Sequence, residues 1–125
     1  MDENALGETI IGAAIDVHRE LGPGLLESTY EACLELELSG RGLAVRRQQI
    51  LPVQYKGVSV EGGYRIDLLV ENKVVVEIKS IETVKDLHKA QLLSYLRLGG
   101  FRLGYLINFN EVLLKRGITR LANGL

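Results

Sequence analysis

Two apolar runs lie close together in the middle of the chain, residues 64–70 and 74–79, with three residues between them. Runs of this length, rich in valine and isoleucine, predict strands buried on both faces, and the short gap predicts an antiparallel hairpin. Charged residues nevertheless interrupt both strands: Asp67 in the first, Glu77 and Lys79 in the second. Because side chains two apart on a strand share a face, we expect Glu77 and Lys79 to point the same way.

These three charges allow two interpretations. Burying an ionised group costs roughly several kcal/mol, so three of them on adjacent central strands need a common explanation. One is a metal site, in which Asp67 and Glu77 bind a hard divalent cation through oxygen and Lys79 assists an attacking water. The other is a cross-strand salt bridge between Asp67 and Lys79, with Glu77 turned toward solvent. The local pattern is compatible with both.

The rest of the chain predicts helices and strands around this hairpin. Apolar residues at three- and four-residue steps predict helices, and alternation predicts strands. A strand, a helix and a strand in succession predict a parallel crossover. Lys56-Gly57 and Glu61-Gly62-Gly63 are interpreted as turns within a meander. The further predicted elements are helices over 3–21, about 25–38 and about 82–98, strands over 43–55 (with Pro52 at an edge or bulge) and 102–109, and a short edge strand or hairpin within 112–121.

Composition places the chain among globular proteins. It has 125 residues, 46% of them hydrophobic, with 14 Gly and 2 Pro, which predicts one domain over residues 1–125. Its single cysteine, Cys33, cannot form an internal disulfide or supply a cysteine metal cluster, and its helical spacing predicts a core thiol. No apolar window is long enough for a bilayer span and the start of the chain is acidic, so we expect no membrane partner and a cytoplasmic location.

Charge is distributed unevenly along the chain. The net charge is −1, yet residues 1–84 carry 8 Lys and Arg against 14 Asp and Glu, whereas residues 85–125 carry 7 against 2. This asymmetry is compatible with a basic surface for phosphates and also with ordinary solvated helix faces.

A second motif lies at the start of the second predicted helix. The stretch GLLESTY, residues 24–30, matches the Gly-x-x-Glu-x-x-Tyr signature of the GxxExxY proteins, a family of the PD-(D/E)XK nuclease superfamily. The resemblance covers nearly the whole chain, through HRELGPGLLESTYE, YRIDLLVENKVVVEIKS, HKAQLLSYL, LGYLINF and LLKRGITRL. It implies an α/β fold of the restriction-endonuclease-like type, with a mixed central β-sheet flanked by helices. One departure is Ile66-Asp67, which stands where the superfamily name has Pro-Asp.

The resemblance also assigns roles to individual residues. It implies six catalytic side chains, of which the three carboxylates, with the backbone carbonyl of Ile78, would hold Mg²⁺ or Mn²⁺. The lysine would assist the attacking water, and the glutamine and tyrosine, on one helix face, would position the lysine or the scissile phosphate. The six are Glu27, Asp67, Glu77, Lys79, Gln91 and Tyr95.

Some of these residues have structural alternatives. Glu27, near the start of a helix, can have only a capping role, in which its charge interacts favourably with the helix macrodipole. Gln91 and Tyr95 can be a polar pair where a helix covers the sheet. Tyr30 is interpreted as a core aromatic with a satisfied hydroxyl.

The function implied by the resemblance is a metal-dependent nuclease that hydrolyses phosphodiester bonds, with DNA favoured over RNA. The alternative is a catalytically inactive nuclease-like module that binds nucleic acid or a protein partner. A homodimer is a further expectation, since pairing would reach both strands of a duplex. The candidates for phosphate contact are Arg46, Arg47, Arg65, Lys85, His88, Lys89 and Arg97.

Overall fold

Three α-helices and five strands make up the computed structural model, which describes residues 1–125. A short 3₁₀ helix, Leu114–Gly117, precedes the last strand. The elements are α1 (Glu3–Leu21), α2 (Glu27–Gly40), β1 (Val45–Tyr55), β2 (Val58–Val70), β3 (Val74–Lys79), α3 (Asp86–Gly99), β4 (Leu103–Asn108) and β5 (Ile118–Ala122).

The five strands form one mixed sheet in the order β1-β2-β3-β4-β5. Strands β3 and β4 pair in parallel and are joined by α3, so the predicted crossover is confirmed. The other neighbours pair antiparallel, including the predicted β2–β3 hairpin. Strand β5 lies at one edge, as expected for the end of the chain. The α/β class predicted from the sequence, a mixed sheet flanked by helices, is confirmed.

Helices cover both faces of the sheet. On one face α1 and α2 pack over a core that includes Val74, Val76 and Ile78 of β3. On the other face α3 packs over a smaller core that includes Val75. Since side chains alternate along a strand, Glu77 and Lys79 belong with Val75 on the α3 side. No helix in this structure combines the length and the apolar character needed to cross a bilayer.

Helix α2 begins at Glu27, two residues later than predicted. The cause is Tyr30, which is fully buried and stacks on Phe109 with ring centroids 4.4 Å apart. Its hydroxyl donates to the Gly22 carbonyl (2.5 Å) and accepts the Leu25 N–H (3.1 Å). These bonds hold the preceding loop in a non-helical conformation, and they confirm Tyr30 as a core aromatic with a satisfied hydroxyl.

Helix α3 begins at Asp86 rather than Glu82, so the predicted start was wrong by four residues. The side-chain amide of Asn108 bonds both the N–H and the carbonyl of Ile81, which fixes the chain beyond β3 outside a helix. The helix starts where the His88 ring accepts the Lys85 N–H (2.9 Å) and the His88 N–H donates to the Lys85 carbonyl (3.0 Å).

The turn predicted at Glu61-Gly62-Gly63 was also wrong. Strand β2 begins at Val58 and runs through these residues, whereas the other predicted turn, Lys56-Gly57, is confirmed as the hairpin turn between β1 and β2. The glycines form an irregularity within the strand: Gly62 has φ +75°, and at Gly63 the Leu51 carbonyl lies where a Cβ would be. On β1 the register shifts across Pro52, as expected for proline at an edge strand.

Candidate active site

The carboxylates lie where strands β2 and β3 separate. The two strands pair only from Leu68↔Val76 to Val70↔Val74, beyond which β3 continues beside β4. In the gap between the strands, side-chain carboxylates accept the backbone N–H groups. The Asp67 N–H donates to Glu77 Oε1 (3.1 Å), and the Ile78 N–H donates to Asp67 Oδ2 (2.8 Å). Each carboxylate therefore replaces a backbone acceptor that the neighbouring strand no longer supplies.

Strand β2 changes face at Asp67. Leu68 packs in the core under α1 and α2, whereas Ile66, two residues away, packs under α3. Regular alternation would put both on one face. The shift directs Asp67 toward β3, between the two layers, which explains how its carboxylate reaches the backbone of Ile78.

Glu77 is buried without a cationic partner. Its side chain is 6% exposed, and no ion pair in the structure includes it. Burial, followed by the nearby charge of Asp67, raises the pKa of Glu77 to about 8. The salt-bridge interpretation, with Glu77 turned toward solvent, is therefore wrong.

Burial and nearby charges also change the pKa of Asp67. Burial raises the pKa of its carboxyl, while the hydrogen bond from the Ile78 N–H lowers it. Lys79 is near enough that its charge lowers the pKa of both Asp67 and Glu77, yet it forms no ion pair with either. The two carboxyls and the ammonium group therefore form one electrostatic cluster.

The carbonyl of Ile78 faces the same gap. The Phe109 N–H donates to the Lys79 carbonyl on the β4 side (2.9 Å), so the backbone groups of Ile78, one residue earlier, face β2. Because β2 has separated there, this carbonyl lies on the side of Asp67. It is an oxygen donor beside the two carboxylates, as the predicted metal site requires.

Helix α3 places Tyr95 against the cluster. The ring is 6% exposed and lies against Tyr64, with centroids 4.9 Å apart. Burial, together with the charges of Glu77 and Asp67, raises the pKa of Tyr95 to about 12, so its hydroxyl keeps its proton at neutral pH. Gln91, one turn earlier on α3, is exposed.

Glu27 is tied to the end of β3 rather than to the carboxylates of Asp67 and Glu77. It is exposed at the first residue of α2, and its Oε2 accepts the Ser80 N–H (3.0 Å). The Ser80 hydroxyl donates to the Leu25 carbonyl (2.6 Å), just before α2. These bonds fix the start of α2 against the strand that carries Glu77 and Lys79.

Two residues near Asp67, Glu31 and Gln48, were not among the site residues predicted from the sequence. Glu31 is 5% exposed and accepts bonds from Arg47 Nη2 (2.9 Å), Arg47 Nε (3.1 Å) and Gln48 Nε2 (2.5 Å). Gln48 Nε2 also lies 3.4 Å from Asp67 Oδ1. The available signal was the position of Glu31 four residues after Glu27, one helical turn further along α2.

The predicted phosphate contacts fall into two groups. Arg47 is engaged with Glu31 and, at 3.8 Å, with Glu35, and His88 is engaged in capping α3. Lys89 is half-buried near the start of α3. The exposed members that make no ion pair with the protein are Arg46, Arg65, Lys85 and Arg97.

The oxygen atoms at this site supply part of the coordination shell that a hard divalent cation requires. Two carboxylates and a backbone carbonyl suit Mg²⁺, which commonly takes one or two protein carboxylates and completes its shell with water. Glu77 is buried and forms no ion pair, and the nearby charge of Lys79 offsets only part of the effect of burial on its pKa, so the site retains a demand for positive charge. Three His, Cys, Asp or Glu side chains do not converge anywhere in the structure as a ready-made metal site, and Glu27 does not complete one.

An α/β core with paired acids where two strands separate, and a lysine two residues after the second acid, defines a nuclease-like fold. A family model described as the PD-(D/E)XK nuclease superfamily matches residues 4–121, and the chain belongs to that superfamily. The match includes all six predicted catalytic residues. Neither the curated proteins nor the solved structures gave a significant match.

Proposed function

We propose that this protein is a metal-dependent nuclease of the GxxExxY type that hydrolyses phosphodiester bonds in DNA. The observation that carries the proposal is the pair of carboxylates, Asp67 and Glu77, which meet at the separation of two central strands with a lysine nearby and without an ion-pair partner. Superfamily membership supports nuclease chemistry in general. The GLLESTY motif supports the narrower family.

In this proposal Asp67, Glu77 and the Ile78 carbonyl hold Mg²⁺ or Mn²⁺. When bound, the cation supplies positive charge that stabilises the phosphorane-like transition state and makes a water more acidic. The two carboxylates come from a rigid sheet, and each is oriented by a backbone N–H of the other strand. Their geometry is therefore set before substrate arrives.

Lys79 and Tyr95 act as donors beside the carboxylates. The Lys79 ammonium orients the attacking water and offsets negative charge that develops on the phosphate. Tyr95 stays protonated near neutral pH, so its hydroxyl can donate to a phosphate oxygen or to that water. Glu27, whose carboxylate accepts the Ser80 N–H, would hold the end of β3 that carries Glu77 and Lys79 and would add negative charge near the cation.

The choice of DNA rests on the resemblance to the GxxExxY family, and four exposed basic side chains, Arg46, Arg65, Lys85 and Arg97, are available to contact nucleic-acid phosphates. Contacts from such residues to phosphates do not depend on the base sequence of the nucleic acid, and the affinity that they supply falls as the salt concentration rises. A homodimer, which would bring two such sites to a duplex, belongs to the same proposal.

The test is cleavage of labelled single- and double-stranded DNA and RNA with Mg²⁺, Mn²⁺ or EDTA. We expect metal-dependent cleavage of DNA that Lys79→Ala reduces by at least about a hundredfold, the order of magnitude for loss of one transition-state donor. Lys73→Ala is the matched control, because Lys73 lies at the opposite end of the same hairpin. Metal-dependent cleavage that survives Lys79→Ala would rule out the assigned role of this lysine.

A second function, a nuclease-like binding module without activity, is favoured by one observation: a third acidic side chain does not join the first two. Calorimetry with Mn²⁺ separates the two functions. The nuclease requires binding by the wild-type protein and loss of that binding in Asp67→Ala. The module requires neither, and it would still shift labelled DNA in a gel in the presence of EDTA.

A further inference from the structure

Gln48 has an unusual backbone conformation. Four non-glycine residues have positive φ, and three of them, Lys56, Glu71 and Asn72, lie in hairpin turns where such angles are common. Gln48, with φ 53°, lies inside strand β1. Positive φ in a residue other than glycine costs about 1–2 kcal/mol and persists only where the surrounding structure enforces it.

The position of this strain coincides with the candidate active site. Strand β1 pairs Arg47 with Leu68 and Gln49 with Ile66, so Gln48 lies opposite Asp67. Both strands change face at this point: Arg47 contacts Glu31 on the α2 side, whereas Gln49 pairs with a residue of the core under α3. The strained residue therefore directs its side chain into the same layer as the Asp67 carboxylate.

The Gln48 amide bridges two carboxylates. Its Nε2 lies 2.5 Å from Glu31 Oε1 and 3.4 Å from Asp67 Oδ1. An amide nitrogen has two N–H donors, so one group can serve both acceptors. Without it the two anions would face one another, since the charge of Glu31 already raises the pKa of Asp67.

Glu31 is a fixed anchor for this bridge. It is buried on α2, and two bonds from Arg47 hold its Oε2, which leaves Oε1 for Gln48. On the other side the Ile78 N–H holds Asp67 Oδ2, which leaves Oδ1 for Gln48. The amide therefore contacts the one oxygen of Asp67 that the β3 backbone does not orient.

We propose that Gln48, anchored by Glu31, is a positioning residue that aims the Asp67 carboxylate into the gap between β2 and β3. This inference rests on the proposed nuclease function for its kinetic consequence, but its structural consequence is independent of metal and substrate. Removing the amide frees Asp67 to rotate, which weakens its bond to the Ile78 N–H and disorders a ligand of the cation.

The experiment compares Gln48→Gly with Gln48→Ala. Both lose the amide, but glycine adopts positive φ without strain whereas alanine does not. Asn72→Gly is the matched control, because Asn72 has nearly the same φ, 54°, in a turn away from the site. The readouts are kcat and KM for DNA cleavage, the urea midpoint, and hydrogen exchange of the Ile78 amide in metal-free protein.

We expect both Gln48 variants to lose kcat by about 10- to 100-fold, as is typical when a residue that orients a metal ligand is removed, with KM changed less than about twofold. Exchange of the Ile78 amide should accelerate by at least about tenfold relative to other β3 amides. The urea midpoint should fall for Gln48→Ala but not for Gln48→Gly, so activity and stability separate. Asn72→Gly should leave kcat and Ile78 exchange unchanged.

Two results would overturn the proposal. One is wild-type Ile78 exchange in Gln48→Gly. The other is a loss of kcat that follows the loss of stability in both variants, with all β3 amides affected equally, because a merely structural residue behaves in this way. If the wild-type protein does not cleave DNA, the proposed function fails, while Ile78 exchange still decides the role of Gln48.

Discussion

Glu31 and Glu77 are two glutamates buried to the same degree, 5% and 6% exposed, yet their surroundings differ completely. Glu31 accepts two bonds from an arginine and one from an amide. Glu77 accepts one bond, from the backbone N–H of Asp67, and the charge with the largest effect on its pKa belongs to another acid, Asp67. The protein thus neutralises one buried carboxylate with its own side chains and leaves the other uncompensated.

The difference teaches how a structural acid is told from a functional one. Burial alone does not separate the two, because both are inaccessible to bulk water. The decisive property is the remaining demand for positive charge: an ionised carboxylate can accept about four hydrogen bonds, and Glu77 receives one from the protein. Metal binding would meet that demand, whereas at Glu31 it is already met.

The largest expected effect comes from exchanging each glutamate for its neutral isostere. Glu77→Gln should reduce cleavage by at least about a hundredfold, comparable with the loss of one essential electrostatic group, and should weaken Mn²⁺ binding in calorimetry. Glu31→Gln, which retains the acceptor for Gln48, should lose less than about tenfold in kcat. Equal losses from the two substitutions would remove the distinction between the two acids.

The next effect is on the pH dependence of stability without metal. The pKa of Glu77 rises from 4.5 to about 8, so between these values the folded state binds a proton that the unfolded state has lost. Stability should therefore fall as pH rises from about 5 to 8, by an amount on the order of a few kcal/mol. Urea unfolding in EDTA at several pH values measures this fall. In Glu77→Gln most of it should disappear, and a slope that persists there would assign the effect to other groups.

The smallest effect separates the two sites by the sign of a stability change. At pH 8 without metal, Glu77→Gln should be more stable than the wild-type protein, because on folding the Glu77 carboxyl must either bind a proton or bury a charge, whereas a neutral amide does neither. Glu31→Gln should be less stable by about 1–2 kcal/mol, because Arg47 loses a charged hydrogen-bond partner. Urea midpoints at pH 8 check both signs. Destabilisation by both substitutions would show that Glu77 is compensated in a way that the geometry does not reveal.

Much of the fold was predictable because it depends on local periodicity. The apolar runs of β2 and β3, the helical spacing of α1 and the strand-helix-strand order around α3 predicted the sheet and its parallel crossover. The starts of α2 and α3 were not predictable, because side-chain hydrogen bonds outside the helical pattern set them: Tyr30 holds Leu25, and Asn108 holds Ile81. The Gly62-Gly63 irregularity resembles a turn in sequence, and only its pairing with β1 shows that the strand continues.

The site was predictable where charge interrupts an apolar strand and not elsewhere. Asp67, Glu77 and Lys79 stand out because packing alone would prefer apolar residues there. Gln48 does not stand out, because an exposed glutamine on a strand is ordinary and its positive φ is invisible in the sequence. Glu31 is the kind of residue found on any helix surface, and its partners Arg47 and Gln48 come from β1, a different element of the chain.

The loop that Tyr30 holds has a consequence for how the site responds to its surroundings. The Tyr30 hydroxyl binds Gly22 and Leu25, the Leu25 carbonyl binds Ser80, and the Ser80 N–H binds Glu27. Only the last link involves a formal charge, and the tyrosine at the origin is fully buried. Ionic strength screens exposed charges and acts weakly on such dipoles. The register between α2 and β3 should therefore stay constant over salt concentrations that change how strongly the exposed arginines hold a polyanion.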